Sequence, residues 1–188
     1  NIEIKNNFLI KKEEIEKKLK KIYNKNILFI KSHEIKRPLN QLSFLEKIEV
    51  KKKYPNTLII NIIETKPIAF LFKDKSKYLI DSSNNLILFQ ENMNFKDLPS
   101  IFGEGAEKDF IVFFEKLKES NFPKKKIENF YYFKIGRWDL HLTGDKVIKL
   151  PHKNVKLAID KSIQLLNRED FKNYNIIDLR VDGKIIVE

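Results

Sequence analysis

The stretch IGRWDLHLTGDKVIKLP, residues 135 to 151, decides how the second half of the chain folds. It alternates. Trp138, Leu140 and Leu142 fall on one face of a strand, and Arg137, Asp139 and His141 on the other. Thr143 to Lys146 turn the chain, and Val147 to Leu150 return. Pro151 ends the returning strand and leads into a helix over Val155 to Leu166. The hairpin predicts that Trp138, the only tryptophan, anchors a core, while Arg137 and Asp139 lie on a polar face.

Similar runs surround it. AFLF, KYLID, NLILF, NFYYFKI and IIDLRV are short and rich in aromatic and branched residues. Turn signals separate them at Asp81 to Asn85, at Gly103-Glu104-Gly105 and at Thr143-Gly144-Asp145. Two helical stripes interrupt the strands. One is Phe110, Phe113, Phe114 and Leu117; the other is Val155, Ala158, Ile159, Ile163 and Leu166. Residues 67–188 therefore read as a mostly antiparallel sheet backed by helices.

The first third has a different rhythm. IEIKNN can form a strand, and Ile15, Leu19 and Ile22 make one helical stripe in a lysine-rich segment. Ser32 is an N-cap signal for a second short helix, disturbed by Pro38. Ile48, Val50 and Lys52 then alternate with Glu49, Lys51 and Lys53. After a Tyr54-Pro55-Asn56-Thr57 turn, Leu58, Ile60 and Ile62 share one face of the return strand. Residues 1–66 read strand, helix, helix, strand, strand, a compact α+β module.

The chain has 188 residues and a net charge of +11, so anionic partners are favoured. Its lysines are interleaved with acids, which describes a solvated helix face before a phosphate-binding stripe. There is no cysteine, which excludes disulfides, thiolate metal sites and cysteine nucleophiles. His33, His141 and His152 lie in three separate elements, and no metal site is expected. His141 and Asp139 share a strand face without triad geometry, and no nucleophile elbow is present. Glu13-Glu14 sits in a charged helix, and GEG lacks the spacing and lysine of a phosphate loop. Phe130 to Phe133 send alternate rings to opposite faces, so they read as core before base-stacking platform. No enzymatic constellation emerges.

Several motifs in order carry a family resemblance. GRWDLHL and VIKLP, then a helix, then IIDLRVDGKIIV, resemble the extracytoplasmic part of the bacterial cell-division family FtsQ/DivIB. YPNTLIINIIETKPIAF resembles that family's passage between its two domains. YLIDSSNNLI resembles its Asp-x-x-Gly turn, with an asparagine where Gly is commoner, and LPSIFG resembles its Leu-Pro-x-hydrophobic-x-Gly segment.

The resemblance implies a POTRA domain over 1–66 and the family's β domain over 67–188. It implies a non-catalytic divisome scaffold without cofactor, metal or nucleic acid. A short cytoplasmic tail and one transmembrane helix would precede Asn1, with this chain in the periplasm at the septum of the inner membrane. The implied partners are FtsB and FtsL, with FtsK, FtsW and FtsI as further division proteins. Docking would be strand addition: Arg180 pairs with a partner carboxylate, Val181, Asp182 and Gly183 form the approach, and Lys184, Ile185, Ile186 and Val187 form the template. Val181 stands where relatives carry an aromatic. In the first domain, Val50 and Lys52 match an edge segment that contacts other division proteins. Two other readings compete. One is a POTRA-bearing transport or outer-membrane assembly component, which would require tandem modules or a barrel. The other is a basic nucleic-acid or wall-polymer binder, which would bind with steep salt dependence.

Overall fold

A computed structural model describes residues 1–91 and 93–188. The chain divides into two compact units, one of residues 1–67 with 81–83, the other of residues 68–80 with 84–188.

In the first unit, β1 (Ile2–Lys5) leads through α1 (Lys12–Lys18) and α2 (Ser32–Leu39) to a hairpin of β2 (Leu45–Lys53) and β3 (Thr57–Glu64). The sheet order is β1-β3-β2, with β1 parallel and β2 antiparallel to β3. The hairpin forms where the alternation places it, with Lys53 opposite Thr57 and a cis Tyr54–Pro55 peptide between them. Ile48, Leu58, Ile60 and Ile62 are buried on the sheet's inner face, against Ile15, Leu19, Ile35 and Leu39. Each such side chain contributes about 1.5–3 kcal/mol on burial. The ion pairs at the surface of this unit are screened by solvent and contribute far less. The apolar stripes therefore decide this fold.

Two local expectations are corrected here. α1 stops at Lys18, before Leu19 and Ile22, yet both side chains remain buried because successive tight turns carry the stripe onward. Ser32 is not the cap of α2 but its first residue. The cap bond runs the other way: the Glu34 carboxylate accepts the Lys31 N–H at 3.0 Å and also pairs with Lys25. Pro38 falls inside α2, which ends one residue later, at Leu39.

Among the described residues, the second unit is a nine-stranded sheet with two α-helices. Its elements are β4 (Pro67–Lys73), β5 (Ser76–Asp81), β6 (Leu86–Leu88), β7 (Ser100–Phe102), α3 (Ala106–Glu119), β8 (Ile127–Phe133), β9 (Arg137–Leu142), β10 (Lys146–Lys149), α4 (Val155–Leu166), β11 (Ile176–Asp178) and β12 (Ile186–Val187). The strand order is β12-β11-β10-β9-β8-β7-β4-β5-β6. Antiparallel hairpins alternate with parallel ladders at β4–β7, β7–β8 and β10–β11. The β7–β8 and β10–β11 ladders are parallel because α3 and α4 are crossover helices that return the chain in its original direction, whereas β4 reaches β7 through β5 and β6.

Trp138 is 2% exposed and stacks on Phe113, with centroids 4.9 Å apart and planes 9° apart. Phe110, Phe130 and Tyr132 complete its aromatic surround. α4 buries Ala158, Ile159, Ser162 and Leu165, and only partly Val155, Ile163 and Leu166, so its stripe is rotated from the one the sequence suggests. Ser162 tolerates full burial because its hydroxyl donates to the Ile159 carbonyl at 2.6 Å. The expected polar face of β9 is not solvated. Asp139 is 6% exposed and the Arg137 side chain 11%, because neighbouring strands lie on both sides of β9.

Candidate partner-docking edge

β12 is the outermost strand at one end of the nine-stranded sheet. It pairs with β11 through Ile177 opposite Val187 and Asp178 opposite Ile186. Beyond this ladder, the Ile176 N–H donates to the Glu188 carbonyl at 3.0 Å and the Glu188 N–H donates back at 3.2 Å. Antiparallel partners alternate between bonded and non-bonded pairs, so Ile186 turns its backbone groups towards β11. Ile185 and Val187 then turn theirs outward, to the side of β12 that carries no strand.

The chain reaches this strand through a clasp. Asp178, at the end of β11, accepts the backbone N–H of Arg180 at 3.0 Å. Its two oxygens also accept the Arg180 Nε, each at 2.9 Å, and a third bond comes from Nη2. This bonding holds the Asp178 carboxyl below its ordinary range. Val181 follows in a bend, and Asp182-Gly183 form a turn in which the Lys184 N–H donates to the Val181 carbonyl at 3.1 Å. Gly183 sits at φ 71°, a conformation that favours glycine. The strand proper is shorter than the four residues expected. Lys184 and Ile185 are the approach to it, because the Gly183 turn delivers the chain to β11 only at Ile186.

Arg180, expected to meet a partner carboxylate, already holds Asp178, but its side chain remains 43% exposed. Val181, Ile185 and Ile186 are exposed apolar side chains. An open groove of about 670 Å³ lies between the segment 179–185 and the start of α4. Its far wall brings Leu157, 69% exposed, together with Lys153 and Lys161. Sequence reading missed these three. The exposed leucine on a helix whose other apolar residues turn inward was the available signal.

Behind the edge, one row crosses the sheet through Tyr131, Asp139, Lys149, Asp178 and Ile186. Arg137 Nη2 lies 3.7 Å from Asp139 Oδ2, and its guanidinium sits over the Phe133 ring at 3.9 Å. Asp139 Oδ1 and Arg137 Nε are buried without a partner among the described residues. Burial pushes the Asp139 carboxyl up, and the nearby Arg137, Arg180 and Lys149 charges oppose that.

In the first unit, Val50 and Lys52 lie on β2, one of the two edge strands of its sheet. Both are half-buried and face the same side as Ile48, opposite Ile60 and Leu58. The Lys52 ammonium donates to the Leu28 carbonyl at 3.2 Å. This pair belongs to the first unit and the β12 edge to the second. Among the described residues there is no cluster of three potential metal ligands and no helix long and apolar enough to cross a membrane.

Comparison with known proteins adds the family. Residues 1–65 match the POTRA domain, FtsQ-type, and residues 69–180 match the C-terminal domain of cell division protein FtsQ/DivIB. A POTRA module followed by that domain defines a class of bacterial cell-division protein. The chain belongs to the FtsQ/DivIB family. It is 30% identical over 179 residues to the cell division protein FtsQ of Rickettsia prowazekii, covering 89% of this chain and 65% of that one. It is 29% identical over 177 residues to FtsQ of Rickettsia typhi, with the same coverage. The chain thus spans just under two thirds of the length of these relatives. A solved structure, the major extracytoplasmic domain of the trans isomer of DivIB from Geobacillus stearothermophilus, is similar at a TM-score of 0.37 and 14% identity, covering 53% of this chain and 86% of that one.

Proposed function

We propose that this chain is the periplasmic part of a septal scaffold of the inner membrane, anchored by a helix upstream of Asn1. It recruits FtsB and FtsL by strand addition at β12 and through them helps regulate septal wall synthesis. Its role is to hold partners and not to catalyse. The observation that carries this reading is the outward direction of the Val187 backbone groups on an edge strand, continued by Ile185 just before it, beside a groove with exposed Leu157, Val181 and Ile185.

The chemistry of the rim defines the segment that fits. Lys153, Lys161, Lys184 and Arg180 surround apolar side chains. A partner strand that alternates apolar and acidic residues satisfies both, and its carboxylate would share Arg180 with Asp178. The half-buried Val50 and Lys52 on β2 form a second, separate edge for another division protein such as FtsK, FtsW or FtsI.

Calorimetry of this chain against the periplasmic segments of FtsB and FtsL tests the reading. Ile185→Pro removes an outward donor while leaving the bonds from Ile186 to β11 in place. Binding by the wild type and none by this variant is expected. Equal binding by both would exclude the β12 edge as the docking site.

A further inference from the structure

One end of the first unit is crowded with lysines, and the two carboxylates that reach it are engaged, Glu34 by Lys25 and Glu16 by Tyr23. Residues 19–33 and 50–58 meet there. Lys52 reaches across to the Leu28 carbonyl, and a cleft of about 440 Å³ is lined by Tyr23, Lys25 and Ile27 from the first segment and Pro55, Asn56 and Leu58 from the second. Together the two segments hold seven lysines, at 20, 21, 25, 31, 51, 52 and 53, and no Asp or Glu. Elsewhere in the chain acids are threaded among the lysines, 26 in 188 residues. Among the described residues only Lys25 of the seven has an ion-pair partner, Glu34.

Apolar side chains stand out of this basic field. In the run Ile27-Leu28-Phe29-Ile30 the outer two residues are buried, at 7% and 5% exposure, and root the loop in the core. The inner two point away, with Leu28 61% and Phe29 76% exposed. The loop is fixed in that posture. Asn26 accepts the Leu28 N–H through its side chain and the Phe29 N–H through its carbonyl, both at 3.0 Å. Tyr54, at the tip of the adjoining hairpin, is 61% exposed.

Apolar tips in a cationic field with few acids match one kind of surface. A nucleic acid or a hydrophilic polymer would use the lysines and leave Leu28 and Phe29 without a function. A bilayer with anionic headgroups uses both: apolar side chains enter the boundary between headgroups and acyl chains, lysines lie over the headgroups, and a tyrosine sits at the interface. We propose that this end of the first unit docks on an anionic lipid bilayer, with Leu28 and Phe29 as the inserted tips and Lys20, Lys21, Lys51 and Lys53 as the headgroup contacts.

The test is flotation of the 188-residue chain with vesicles of phosphatidylcholine alone or mixed with phosphatidylglycerol. Two variants are compared, Leu28→Ser with Phe29→Ser, and Lys51→Gln with Lys53→Gln. All four side chains are exposed or peripheral, and circular dichroism checks that both variants fold. The wild type should float only with vesicles that contain phosphatidylglycerol. Affinity should fall about fivefold for each lysine removed. The serine variant should lose flotation while keeping any affinity for a DNA duplex that the wild type shows. No flotation of the wild type with anionic vesicles would overturn the proposal. Flotation that survives the serine pair would overturn it too, because charge alone would then account for binding.

Discussion

The indole N–H of Trp138 donates to the Asp109 carboxylate at 2.9 Å, so one side chain of β9 both fills the aromatic core and holds the first turn of α3. A buried tryptophan needs a partner for this N–H. Here the partner comes from the crossover helix that makes the β7–β8 ladder parallel.

Trp138→Phe keeps an aromatic ring but leaves the Asp109 carboxylate without its donor. A loss of about 1–3 kcal/mol is expected in urea unfolding. Asp109→Ala should cost a similar amount, and the double variant should cost clearly less than the sum, because the two residues share one bond. Additive losses would show that the bond contributes nothing.

The Asp178 and Arg180 clasp gives a pH dependence. The folded pKa of Asp178 lies below its ordinary value, first because of the Arg180 side-chain hydrogen bond. Its stabilisation is therefore present above about pH 3.9 and is lost as the pH falls through the folded value. Asp178→Asn should lower stability at pH 7 by about 1 kcal/mol, a modest figure because Arg180 is nearly half exposed. The gap between variant and wild type should narrow as the pH falls below about 3.9 and through the folded value. A gap that stays constant with pH would mean that the clasp is not ionic.

Asp139 should behave in the opposite sense. Burial raises its folded pKa, so ionising it costs stability as the pH climbs from about 3.9 through the folded value. Asp139→Asn removes that cost. Urea midpoints at pH 4 and pH 7 should show the variant gaining on the wild type as the pH rises. A variant that loses ground at pH 7 would show that pairing with Arg137 outweighs burial.

Gly103 is a backbone requirement of the β7 to α3 turn. At φ 119°, a Cβ there would lie 2.2 Å from the Tyr132 carbonyl oxygen. Gly103→Ala should cost more than about 2 kcal/mol, through strain and displacement of β8. Gly144→Ala, at φ 77° with nothing within 4 Å, should cost only about 1 kcal/mol of conformational strain. Equal melting points for the two variants would contradict the close approach.

The parts that sequence made legible are those set by near neighbours. The β2–β3 hairpin, the Trp138 anchor and the lone final strand follow from alternation and turn residues a few positions away. What it hid depends on distant partners. β7 is three residues long and becomes a strand because β4 and β8 lie beside it. Arg137 and Asp139 look solvated in a strand pattern, yet Tyr131 and Lys149 on flanking strands cover Asp139. Leu157 counts as part of the groove only because the chain returns past it at 179–185. The cap of α2 escaped notice because its carboxylate, Glu34, is recruited jointly by the Lys31 N–H and by Lys25.

A strand of only two residues is a poorly secured hem. β12 is fastened by a handful of backbone bonds and by the apolar contact of half-exposed side chains, so it opens at a small fraction of the free energy that would unfold the sheet. Amide exchange at Ile186 and Glu188 should accordingly run far ahead of exchange in β9. A ligand that lays down another strand must then order its own seat as it arrives. Part of the heat of association would be heat of folding, and the slowest-exchanging amides of the complex would include ones that are barely protected when the chain is alone.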